Sequence, residues 1–281
     1  MKGYGYNPWS YFNTISMIQR VTNGSLSADV PQSDWLSVKR RTYAGNRSIS
    51  DLLEVIATAD DSFNLPRTNM TAYSMSPNTY LEAVSSYIGA VPSIQGIRVW
   101  MLRVLAQLRE QQGQAARAKA LRQQADALAA ETVERMYVEG KGYWGCLYNA
   151  SHRVETRALH DFFYIGMCVC GWPEDGECEA LPAAVREAMV RWSQAECMTA
   201  DWMRAFSPDD ALRYVARPDQ GTTGAFSSWP AFAAHATAAL QRNFTLALSM
   251  MEKFAHAARE GPWGQGLRRQ AREVSGGKGA L

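Results

Sequence analysis

The residues best suited to chemistry stand in two stretches. The richer one is Asp201-Trp202-Met203-Arg204-Ala205-Phe206-Ser207-Pro208-Asp209-Asp210, followed by Arg217-Pro218-Asp219-Gln220-Gly221 and Gly224-Ala225-Phe226-Ser227-Ser228-Trp229-Pro230. Carboxylates, Arg and Trp in one run suit a polyol. Charged groups bond vicinal hydroxyls in pairs, and an aromatic ring covers the apolar face of the ligand. The second stretch is Gly142-Tyr143-Trp144-Gly145, with Arg153, Glu155, Arg157, His160 and Asp161 downstream. Each also has a plain structural reading. Ser207-Pro208-Asp209-Asp210 is a helix N-cap, Trp229 a staple between loop and core, and His160-Asp161 a satisfied core pair. Asp60-Asp61 with Arg67 reads as a solvated helix end.

General acid/base cleavage of a glycosidic bond needs two carboxylates flanking that bond. Asp161, Glu155, Asp201, Asp209, Asp210 and Asp219 all stand in candidate loops, and spacing alone selects no pair. No P-loop, dinucleotide fingerprint or nucleophile elbow occurs, so no cofactor is expected. Cys146, Cys168, Cys170, Cys178 and Cys197 match no zinc spacing, so no metal is expected either. Buried free thiols are the expectation for them, with a Cys170–Cys178 bridge across Gly171-Trp172-Pro173 as the alternative.

The elements that would position these loops are helical. Ile94 to Arg109 is apolar almost all round, as in a helix packed on several sides. Gln114 to Tyr137 carries Ala118, Leu121, Ala125, Leu128, Val133 and Met136 on one face, as an outer helix does. The pattern repeats: Arg157 to Cys170 reads as buried and Leu181 to Cys197 as amphipathic. Pro230 to Leu240 then reads as buried and Phe244 to Arg259 as its partner. Connections inside each hairpin are short. Those between hairpins, Tyr137 to Thr156 and Met198 to Trp229, are long and aromatic, as functional loops are. The alternation predicts an all-α toroid of helical hairpins, buried helices inside and long loops at one end. Ser10 to Arg20, Ser48 to Ala59 and Asn78 to Tyr87 also read as helices. The domain spans 1–263, and Gly264 to Leu281 lacks a core pattern and reads as a disordered tail. Met1-Lys2-Gly3-Tyr4-Gly5-Tyr6-Asn7-Pro8-Trp9 reads as loop chemistry from inside a domain, so further hairpins are expected upstream.

At the loops the chain resembles the six-hairpin (α/α) toroid glycosidases, the superfamily of trehalase-like and glucosidase-like enzymes. Gly142-Tyr143-Trp144, Trp202-Met203-Arg204 and above all Gly224-Ala225-Phe226-Ser227-Ser228-Trp229-Pro230 carry the resemblance, which covers roughly Tyr87 to Ala258. It implies metal-independent, inverting hydrolysis of an oligosaccharide or glycoside at the loop end. Asp219 and Asp201 are then the acid/base candidates. Trp144, Arg204, Trp202, Trp229, Tyr143, His160 and Asp161 are the candidates for holding the sugar. One departure stands out: relatives often place an acid near the Gly-Trp-Pro step, where this chain has Ser227 and Ser228. That keeps open a sugar-binding module that no longer cuts. A helical-repeat scaffold is the third reading. Its period of about 34 residues is too short for buried helices that begin near Ile94, Arg157 and Pro230.

Bulk properties bound the choice. A net charge of +2 gives no reason to expect nucleic acid, and no run of 18 apolar residues predicts a membrane span. Asn23, Asn46, Asn69, Asn149 and Asn243 each begin an N-x-Ser/Thr sequon. With 35 Ser and Thr among 281 residues, nine Asn yield about one sequon by chance. The surplus favours a secretory or extracellular protein, although no signal-peptide pattern opens the chain.

Overall fold

The computed structural model describes residues 40–42, 45–47, 54, 65–72, 87–171, 178–199, 203–210, 229–242 and 244–260. The expected helix at Ser10–Arg20, that at Asn78–Tyr87 except for Tyr87 itself, the Asp60-Asp61 pair and the tail lie outside them. Of Ser48–Ala59 only Glu54 is described, and it is helical.

A short antiparallel pair, β1 (Arg40–Thr42) and β2 (Gly45–Arg47), comes first. Helix α1 runs Pro92–Gln111 and starts on a proline, whose missing N–H costs nothing in the first turn. Ile94, Ile97, Trp100, Met101, Leu102 and Leu105 are all buried, so the all-round apolar pattern marks a helix packed on several sides. Gly113, at φ 74°, turns the chain into α2 (Ala115–Met136). Only one face of α2 is buried, through Ala118, Leu121, Ala125, Leu128 and Met136.

The next connection is not a plain loop. Trp144–Asn149 (β3) and His152–Thr156 (β4) form an antiparallel hairpin. With β1–β2 it departs from the all-α expectation. Aromatic and β-branched residues favour a pleated surface, and here they pair across strands. Helix α3 (Leu159–Cys170) follows, then α4 (Ala183–Trp192), whose last turn widens into a π-helical turn, Ser193–Cys197. Helices α5 (Trp229–Gln241) and α6 (Phe244–Glu260) complete the described chain.

Helices α1, α3 and α5 lie side by side in that order; α2 covers α1, α6 covers α5, and α4 packs mainly on α5. Glycine sets the spacing inside the row. A Cβ on Gly96 of α1 would meet the Tyr164 carbonyl oxygen of α3 at 3.0 Å. One on Gly166 of α3 would meet the Ala236 Cβ of α5 at 2.8 Å. Removing the Cβ lets neighbouring backbones approach closely.

Segment 65–72 is strapped across α1 by buried polar groups. Gln95 Nε2 donates to the Thr71 carbonyl at 2.9 Å while its Oε1 accepts from the Thr71 N–H at 3.1 Å. Arg98 donates to the Asn69 carbonyl at 2.9 Å. Glu54 bridges Arg109 on α1 and Arg117 on α2.

Cys170 and Cys178 form a disulfide at the C-terminal end of α3. This corrects the expectation of free thiols for those two, whose Cα atoms lie 4.5 Å apart, within bonding reach. Cys146, Cys168 and Cys197 are free and buried. No helix among the described residues is long and apolar enough to cross a membrane.

Candidate functional site

The two long connections meet where α3 begins. The Leu159 N–H donates to the Ala205 carbonyl at 2.9 Å, and the Ser207 N–H to the Arg157 carbonyl at 3.0 Å. Asp210 Oδ2 accepts from the Arg157 N–H at 2.7 Å. The run-in to α1 joins them, since Ala90 pairs with Leu147 of β3. The segments leading into α1 and α3 therefore share one end of the helical row with the stretch 203–210.

A half-exposed polar cluster is built there. Gly142 makes it possible. Its φ is 82°, and a Cβ would lie 2.1 Å from the Ala188 carbonyl oxygen and 2.9 Å from the Trp192 Cβ. Only glycine lets the run-in to β3 lie this close to α4, and the next residue, Tyr143, is thereby set against Trp192 with ring centres 6.0 Å apart. The Tyr143 hydroxyl donates to Glu155 Oε2 at 3.0 Å. Its ring lies under the Arg157 guanidinium, 4.6 Å from the centroid, in a cation–π contact. The same Arg157 Nη1 donates to both carboxylate oxygens of Glu196, at 3.3 and 3.1 Å. Trp192 Nε1 donates to Glu196 Oε2 at 2.8 Å, one helical turn away. The π-helical turn carries Glu196, and Arg204 Nη1 reaches its backbone carbonyl at 3.4 Å.

Protonation states follow from these partners. Burial raises the Tyr143 pKa and the Glu155 carboxylate raises it further, so the phenol stays a donor. Burial alone would lower the Arg157 pKa; Glu196 and Tyr143 outweigh it, and the net shift is upward. The cluster thus presents two carboxylates, Glu196 paired with the Arg157 cation and Glu155 held by the Tyr143 hydroxyl beneath it. That arrangement offers paired acceptors and donors to a ligand rich in hydroxyls.

A few residues further on, the polar groups turn inward. Asp161 is fully buried at the start of α3. Its Oδ1 accepts from the Tyr87 hydroxyl at 2.5 Å and from the Ser93 N–H of α1 at 3.0 Å. The Tyr87 hydroxyl also shares a hydrogen bond with Ser93 Oγ, 2.6 Å away. Asp161 Oδ2 has no hydrogen-bond partner among the described residues. Burial raises its pKa to about 7 against the lowering effect of Tyr87 and Ser93. His160 is buried too, against the Phe163 ring at 5.2 Å, and burial lowers its pKa to about 3.

The sugar-holding candidates therefore separate. Trp144 is 1% exposed and meets Tyr137 edge-on at 5.2 Å, so it packs the core and offers no face to a ligand. His160 and Asp161 are likewise inside, and Asp161 pairs with Tyr87 and Ser93 rather than with its neighbour. Tyr143 is 3% exposed with Arg157 over its ring, so it positions Glu155 and Arg157 instead of stacking on sugar. Arg204 is half-buried beside Glu196, and Trp229 opens α5. Asp219, Asp201 and Trp202 lie outside the described residues. Glu196 was not singled out in the sequence. Its signal was Trp192 four residues earlier, at the end of a helix that feeds a long loop.

No protein-family model matches the chain, and no curated protein is detectably similar to it.

Proposed function

We propose that the chain is a carbohydrate-active protein, a glycoside hydrolase whose sugar face lies at the end where the two long connections meet. In this reading α1, α3 and α5 are part of the inner wall of a toroid of helical hairpins, and a saccharide lies across the half-exposed cluster. Arg157, Glu155 and Glu196 bond its hydroxyls. Asp219 and Asp201 act as the acid/base pair: one protonates the leaving oxygen, the other takes the proton of the attacking water. The observation that supports this most is the polar chain Glu155–Tyr143–Arg157–Glu196, in which the Tyr143 hydroxyl bonds Glu155 while Arg157 lies over its ring and pairs with the sequence-distant Glu196. A module that binds sugar without cutting it is the second reading, favoured by Ser227 and Ser228.

The test is a panel of chromogenic glycosides with the full chain, with thermal shifts by mono- and disaccharides alongside. Turnover lost in Asp219→Asn makes it a hydrolase. Saturable stabilisation without turnover selects the non-cutting module. A folded sample that neither turns over nor responds to any sugar sinks both.

A further inference from the structure

Sequons are common in sequence and differ sharply in structure. Asn69 begins one, yet both its groups are spent internally. Its backbone N–H and its Nδ2 donate to Glu131 Oε2 of α2, at 3.1 and 2.9 Å, while Met70 and Thr71 are buried. Asn149 is the opposite case. It is exposed at the tip of the β3–β4 hairpin, in register with His152 across Ala150 and Ser151. Two-residue hairpin loops usually need positive φ, and neither Ala150 nor Ser151 has it. The turn is held by the Asn149 side chain instead. Its Oδ1 accepts from the Ser151 N–H at 3.0 Å and from the Ser151 hydroxyl at 3.0 Å. The turn uses only Oδ1, so Nδ2 remains outside it.

We propose that Asn149 is an N-glycan acceptor and the hairpin tip a glycosylation site. The geometry supplies what the modification needs: an exposed amide and the Ser hydroxyl two residues on, already bonded to it. In the transfer, Nδ2 forms a bond to the anomeric carbon of an oligosaccharide carried on a polyprenyl pyrophosphate. The bond from that carbon to the pyrophosphate oxygen breaks, the pyrophosphate leaves with the electron pair, and Nδ2 gives up one proton. The product amide keeps Oδ1, so the turn survives. The Cys170–Cys178 disulfide is an independent sign of the oxidising compartments in which such transfer occurs. Asn149 stands roughly 16 Å along β3 from Trp144, at the opposite end of the strand.

The test expresses the full chain behind a cleavable secretory leader in eukaryotic cells and maps occupancy. Glycan release in heavy-oxygen water leaves labelled Asp at each modified position, read by mass spectrometry. The expected result is label at position 149 and none at 69. Asn149→Gln and Ser151→Ala should each remove the 149 glycan, with secretion and the Cys170–Cys178 bond intact. A secreted, disulfide-bonded chain with unmodified Asn149 overturns the proposal, as does occupancy at Asn69 in preference to Asn149.

Discussion

Two polar clusters stand within a few residues of each other, one on each side of Ala158. Glu155, Arg157 and Glu196 gather around the buried Tyr143 and are partly open to solvent, with the Arg157 and Glu196 side chains about a quarter exposed at 25% and 24%. His160 and Asp161 are sealed between α1 and α3. Burial pushes both toward their neutral forms, His160 downward to about 3 and Asp161 upward to about 7. Titratable side chains in the two places do different work for one physical reason. A charge at the rim keeps water or a ligand as a partner, whereas a buried one is retained only where the fold supplies its hydrogen bonds. The outer cluster keeps its charges at the rim; the inner one ties the start of α3 to that of α1.

The largest effect should come from the residue that sets the outer cluster in place. Gly142→Ala combines a positive φ with a backbone clash against Ala188, so it should cost about 3 kcal/mol or more. Urea denaturation measures this. A loss below 1 kcal/mol would mean the approach of β3 to α4 can relax.

Next comes the buried acid. Asp161→Ala takes the acceptor from the Ser93 N–H and leaves the Tyr87 hydroxyl with Ser93 Oγ, at about 2–4 kcal/mol. Asp161→Asn keeps an oxygen for both and should cost much less. Equal losses in the two variants would mean that those bonds contribute little.

The pH dependence sharpens the contrast. His160 has its folded pKa below the unfolded 6.5, so its contribution is full above pH 6.5 and is lost as pH falls toward about 3. Asp161 has its folded pKa above 3.8, so its contribution is full below pH 3.8 and is lost as pH rises through about 7. Between pH 3.8 and 6.5 the two slopes oppose each other. Of these two slopes Asp161→Asn leaves that of His160, and stability should climb through that window relative to the native chain. Denaturation midpoints at several pH values check this, and a profile unchanged from the native one contradicts it.

The smallest effects belong to the outer cluster. Glu196→Gln should cost about 1 kcal/mol or less, because its ion pair is partly solvated, and Glu155→Gln under about 0.5 kcal/mol. Both should alter sugar response far more than stability. A loss in Glu196→Gln as large as in Asp161→Ala would make Glu196 a core residue.

Most of the helical frame was legible because burial writes itself into periodicity. Ile94 to Arg109 and Arg157 to Cys170 are apolar on most sides, and both are buried helices whose ends shift by only about two residues, as helix boundaries do. The β3–β4 hairpin was not legible. Trp144 to Leu147 are all buried, so the strand lacks the alternation of a half-exposed one and reads as an aromatic loop. The cluster around Arg157 was half legible: Glu155 and Arg157 are near in sequence, but Glu196 arrives through tertiary packing. Whether Asp161 sits in a core or a cleft depends on Tyr87 and Ser93, which no local pattern connects to it.

The most direct test of the central claim is calorimetric titration of the folded full chain with the saccharide giving the largest thermal shift, in native, Arg157→Ala and Asp161→Asn forms. The expected result is saturable binding that Arg157→Ala weakens at least tenfold and Asp161→Asn leaves within about twofold, tenfold being about 1.4 kcal/mol. Binding untouched by Arg157→Ala, or absent from the native chain, would contradict it.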